Sequence, residues 1–131
     1  MHGFSIALPP LVLMRIMVGG VWLYEGLWCK LLGRARAQAE VVAAVPRFGP
    51  RFGVLFLKTL GFMEVAIAVW SFSGMHAGSC AIFQAALLIV LNANGLLWAR
   101  HVIHEPLGMV VKNAAFLTLV WTWAAISGGR L

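Results

Sequence analysis

Charge is scarce in this sequence: only 11% of its 131 residues are Asp, Glu, Lys or Arg, against about 25% in soluble domains. Aspartate is absent, and the four acids are Glu25, Glu40, Glu64 and Glu105. The two cysteines, Cys29 and Cys80, lie far apart without CxxC or Cys/His metal spacing, so neither a zinc site nor a redox dithiol motif is written here. A glycine-rich phosphate loop, a Ser/His/Asp set and a nucleophilic cysteine context are missing too. With so few polar stretches there is room for one domain spanning 1–131 and no appended soluble module. A catalytic partner has to be a separate chain.

Apolar residues make up 62% of the chain and mean hydropathy is +0.91. They fall into four stretches, roughly 9–32, 54–72, 78–99 and 107–126, each about the 20 residues that cross a bilayer as a helix. The fold expected is all-α, an integral membrane four-helix bundle. Pro9 and Pro10 open the first helix, where a missing N–H costs little. No basic n-region or small-residue cleavage site marks the N-terminus, so the first stretch reads as a retained helix and not a signal peptide. Between the first two stretches lies a basic loop, 33–53, carrying Arg34, Arg36, Arg47 and Arg51 against Glu40. Its middle, 37–45, reads as a short interfacial helix stopped by Pro46.

The formal charge of +6 suggests nucleic acid only if the chain is soluble. Here the cations gather on the loops around Arg34–Arg51 and Arg100–Lys112, whereas the turn near Gly74 has none. The positive-inside rule then puts both loops of this multi-pass protein in the cytoplasm and both termini outside. Trp28 and Trp98 fall near the inner interface and Trp70, Trp121 and Trp123 near the outer one, as aromatic belts do. Trp22 is at mid-membrane and is expected to pack within the bundle. Cys29 near the inner face and Cys80 near the outer one are too far apart for a disulfide.

Charges inside the spans carry the functional information, because a charge in hydrocarbon is costly. Counted at about 1.5 Å per residue, Glu25, Lys58, Asn92, Lys112 and Asn113 all come out roughly 8–10 Å from the inner ends of their helices. Four helices thus contribute to one polar layer. Glu64 falls deeper and Arg15 toward the outer side. Arg15 and Glu25 are about 15 Å apart along their helix, so each charge needs a partner on another helix. Matching depths pair Glu25 with Lys58 or Lys112, and Arg15 with Glu64. Such pairs can simply hold the bundle together, or Glu25 or Glu64 can serve as a proton-exchanging or ligand-binding carboxylate.

Arg15, Gly19, Trp22, Gly26 and Cys29 recur at helical spacing and form one stripe, a packing face on which Gly19 and Gly26 admit another backbone. Gln84, Asn92 and Asn94 give the third helix a polar side suited to interhelical hydrogen bonds. His101 and His104 sit beside Arg100 and Glu105 in a polar loop, which favours solvation over a metal site. No helix interior contains a His, so no axial haem ligand is offered.

The run Leu13–Leu32, with Arg15, the Trp22-Leu23-Tyr24 core, Gly26 and the Lys30-Leu31-Leu32 end, resembles the first helix of the DoxX-like membrane proteins. Gly61-Phe62-Met63-Glu64 in the second helix, and Pro106-Leu107-Gly108 with Lys112-Asn113 in the fourth, resemble that family too. The resemblance implies a four-helix bundle linked to quinone-coupled oxidation or to membrane redox systems handling sulfur and oxidative stress. It carries over Arg15, Gly26, Lys30, Glu64, Lys112 and Asn113.

Three functions compete. A quinone-linked redox component holds a quinone headgroup near Trp22, Glu25, Lys58, Asn92, Lys112 and Asn113, with no built-in redox centre and electrons from a partner. A non-catalytic anchor or accessory subunit of a larger membrane complex docks a soluble partner or anionic lipid through its basic loops. A small-solute or proton transporter uses the same charges and requires a homo-oligomer, since four short helices enclose little space. Membrane lipid is a partner in all three.

Overall fold

The computed structural model describes residues 6–34, 36–44 and 49–128, and among them every regular element is helical. Helix α1 runs Leu11–Leu31, α2 Arg36–Ala43, α3 Gly49–Ser73, α4 Ala77–Trp98 and α5 Pro106–Ile126, with a single 3₁₀ turn at Arg100–Val102 between the last two. Four of them, α1, α3, α4 and α5, are long and apolar enough to cross a membrane. The chain is an all-α membrane bundle. The expected stop at Pro46 and both chain ends lie outside the described residues.

Local chemistry explains the boundaries. Helix α5 starts on Pro106, whose ring presets the helical φ and whose missing N–H is one of the first-turn orphans in any case. Helix α3 begins at Gly49 and not near Val54 because Pro50 is tolerated in a first turn, so the helix extends beyond its apolar window. The turn between α3 and α4 is made by two residues in the left-handed region, Gly74 (φ 71°) and His76 (φ 47°).

Helix α1 is not uniform. From Tyr24 to Leu31 it widens into a π-helix, and its wider hydrogen bonding carries on into Leu32 N–H to Leu27 O at 2.9 Å. Short π segments are rare and gather at functional sites. This one changes which residues face the bundle, as the site below shows.

All four spans contribute to one buried cluster: Met14, Val18 and Trp22 from α1, Ile67 and Ala68 from α3, Ala77, Cys80 and Ala81 from α4, and Val120, Trp123 and Ala124 from α5. Helix α1 packs along α3 and also meets α5, and α4 packs along α5. Trp22 is 2% exposed and packs edge-to-face on Phe116, with ring centroids 5.9 Å apart. Trp123, expected in the outer aromatic belt, is instead fully buried, because it shares a face with Val120 and Ala124. Trp121, on the opposite side of the helix, is the exposed ring.

A polar cluster crosses this core. Trp22 Nε1 donates to Gln84 Oε1 at 2.5 Å, and Gln84 Nε2 donates to Ser71 Oγ at 3.3 Å and Cys80 Sγ at 3.0 Å. The three helices α1, α3 and α4 are thereby tied together by a fully buried amide. Gln84→Leu leaves the Trp22 N–H without an acceptor, and the expected cost is about 1–2 kcal/mol. Thermal unfolding in detergent checks this: a lowered midpoint with altered tryptophan emission is expected, and an unchanged midpoint contradicts it.

Candidate functional site

Two glycines set the geometry of the site. A Cβ on Gly26 would sit 2.7 Å from Gly61 O, and one on Gly61 would sit 3.0 Å from Gly26 O. Helices α1 and α3 therefore cross backbone to backbone at this point, an approach only small residues permit. Four residues after Gly26 comes Lys30, and three after Gly61 comes Glu64.

These two side chains meet. Lys30 Nζ lies 2.9 Å from Glu64 Oε2, an ion pair in which the side chains are 8% and 2% exposed. The same ammonium lies 3.6 Å from Glu25 Oε2. Lys30 thus stands between two carboxylates, one sealed in the bundle and one, Glu25, with 37% of its side chain exposed. The row runs from the buried interior toward the loop-side face. Burying a charge is tolerated only with a partner in place, and here one cation serves two anions.

The π segment makes this possible. On a regular helix Lys30 lies about 80° around the axis from Trp22, off the packing face. The wider turns from Tyr24 onward rotate it back, and Lys30 is buried beside Gly26 and Cys29.

The expected partners of the charges need correction. Glu64 pairs with Lys30 and not with Arg15, whose guanidinium instead lies against Gly74 in the turn between α3 and α4. Glu25 pairs with Lys30 on its own helix and not with Lys58 or Lys112. Lys58 takes a different role: its Nζ donates to Lys30 O at 3.2 Å and Leu31 O at 2.5 Å, satisfying carbonyls left open at the end of α1. Lys112 is exposed. Matching depth was a poor guide because it ignores which face of each helix the side chain leaves from.

The single polar layer divides in two. One part is the charged row with Lys58 between α1 and α3. The other joins α4 to α5, where Asn113 Nδ2 donates to Asn92 Oδ1 at 2.9 Å while Asn92 Nδ2 donates to Leu88 O at 2.7 Å. Trp22 belongs to the Gln84 cluster. Asn94 bonds Val90 O on its own helix.

Helix α2 supplies a residue that the sequence did not mark. Gln38 Nε2 donates to Glu25 Oε2 at 2.6 Å, so the loop helix is fastened to the exposed end of the row. Nearby, the Arg34 guanidinium lies 5.5 Å from the centre of the exposed Trp28 ring, a cation–π contact at the loop-side end of α1.

No curated protein and no solved structure matches the chain. A family model described as the DoxX-like family matches residues 19–121, a stretch that contains Glu25, Lys30, Gln38, Lys58 and Glu64. The glycine crossing and the buried charged row both fall inside that match, and the chain belongs to the DoxX-like family.

Proposed function

We propose that the protein is a quinone-linked membrane component of a redox system, and that Glu25, Lys30 and Glu64 are its proton-exchanging groups. The observation that carries this reading is the charged row itself. A pair that only staples two helices needs one cation and one anion, whereas here a second carboxylate extends the row from the sealed interior to an accessible edge.

The residues present suit a quinone headgroup. Glu25 is flanked on its helix by the exposed rings of Tyr24 and Trp28, which offer apolar faces to a planar ring. A quinone, when bound, accepts two electrons from a partner chain carrying a redox centre, together with two protons. Glu25 gives or takes a proton at its carboxyl oxygens at the accessible end, and Glu64 does so at the buried end. Lys30 holds both carboxylates in one line and can donate to whichever is charged. The cation-rich loops support placing the α2 side of the bundle in the cytoplasm.

An accessory role is the second reading, favoured by the position of the Lys30–Glu64 pair directly beside the Gly26–Gly61 crossing. The two separate by binding. In lipid nanodiscs, a short-chain quinone should quench tryptophan emission saturably, and organic extracts of the purified protein should contain quinone. Linear quenching with no saturation, and extracts free of quinone, would leave the accessory reading standing.

A further inference from the structure

We propose that helix α2 is a latch over the accessible end of the charged row, and that Gln38 is the residue that holds it shut. The proposal rests on the reading of Glu25 as a proton-exchanging group, since a latch over a purely structural carboxylate controls nothing.

Helix α2 has 8 residues. In isolation helices shorter than about 12 residues are marginal, so its place depends on what it touches. It packs on α3 and reaches the Arg100–Val102 turn. Its one described side-chain hydrogen bond to α1 is the 2.6 Å bond from Gln38 to Glu25. An amide donating to a carboxylate is a charge-assisted bond, stronger than a neutral one. It also occupies the same Oε2 that faces Lys30. While this bond stands, Oε2 is engaged on two sides and only the rest of the side chain, 37% exposed, remains open.

Two further features fit a part that moves. Gly33, between α1 and α2, has φ +66° and open space where a Cβ would go. It is a hinge position that side chains rarely adopt. The other half of the Gln38 amide, Oε1, is buried without a hydrogen-bond partner among the described residues. An orphaned buried acceptor is a cost of the closed position, and swinging α2 outward returns that oxygen to water. The bond to Glu25 and the packing on α3 therefore hold the closed position against the cost of one unsatisfied group.

Carboxylate labelling reads the latch without any redox activity. The full-length protein in lipid nanodiscs is treated with a water-soluble carbodiimide and an amine, and modification is quantified by peptide mass spectrometry. Glu40, exposed on α2, is the internal reference, and Glu64, 2% exposed, should stay unmodified. Gln38→Ala is expected to raise labelling of Glu25, 37% exposed in the closed position, relative to Glu40 by about threefold, the factor that ~0.6 kcal/mol provides. Gln38→Glu, which sets carboxylate against carboxylate, should raise it too, and retained helical circular dichroism shows that both variants are folded. An unchanged Glu25 to Glu40 ratio in both variants overturns the latch, even in a protein that binds quinone. A raised ratio in a protein that binds none keeps the latch and removes the quinone reading.

Discussion

Lys30→Met is expected to destabilise the bundle by about 3–5 kcal/mol, the range for breaking a buried ion pair by removing one partner. The cause is the anion left behind. Glu64 is 2% exposed and faces Lys30 at 2.9 Å, so without the ammonium its charge is stranded in an apolar surrounding. Removing both partners should be far milder. Lys30→Met with Glu64→Met exchanges the pair for apolar volume, which is often close to neutral, so the double variant should recover most of the loss. Unfolding midpoints for the four proteins of this cycle measure the coupling directly. If the single and double variants unfold alike, Glu64 does not depend on Lys30 and the row is misassigned.

Gly26→Ala is the second large effect. Its new methyl would lie 2.7 Å from Gly61 O and 2.9 Å from both Val65 N and Glu64 Cβ. Two of these atoms are backbone and cannot rotate away, so α1 and α3 must separate. Overpacking of this kind costs about 1–3 kcal/mol, and the separation also pulls Lys30 from Glu64. Gly20→Ala is the control, since nothing lies within 4 Å of its added Cβ, and it should be neutral or stabilising by up to about 1 kcal/mol, the helix-propensity gain of alanine over glycine. Equal midpoints for the two variants would show that the helices do not cross at Gly26.

The bundle was legible in the sequence because membrane spans announce themselves by length and hydropathy, and Pro10, Gly74 and Pro106 mark where helices begin and turn. Of the stripe through Arg15, Gly19, Trp22, Gly26 and Cys29, the last four are buried and Arg15 is half-buried. The charged row was legible only in its members. Glu25 and Glu64 stand out as acids in apolar surroundings, but a regular 3.6-residue period keeps Lys30 off the packing face. No residue in Tyr24–Leu31 signals a π-helix by itself. A spacing that could have revealed the pair is present on both helices: a glycine followed within a turn by a charge, Gly26 then Lys30 and Gly61 then Glu64. Two such patterns of opposite sign bring their charges together wherever the glycines meet. Gln38 carried no signal, because a glutamine on a short loop helix is ordinary until the tertiary structure sets it beside Glu25.

The reading of Glu25 and Glu64 as proton-exchanging groups is tested most directly by infrared difference spectroscopy on the protein in lipid nanodiscs, loaded with a short-chain quinone and reduced electrochemically. Reduction should change the carboxyl C=O stretching region of the wild-type protein. Glu64→Gln and Glu25→Gln keep shape and hydrogen bonding but cannot exchange a carboxyl proton, so at least one of them should lose that band while still binding quinone. A carboxyl region that stays silent on reduction, or a band that survives both substitutions, would contradict the account and leave the row a purely structural tie between α1 and α3.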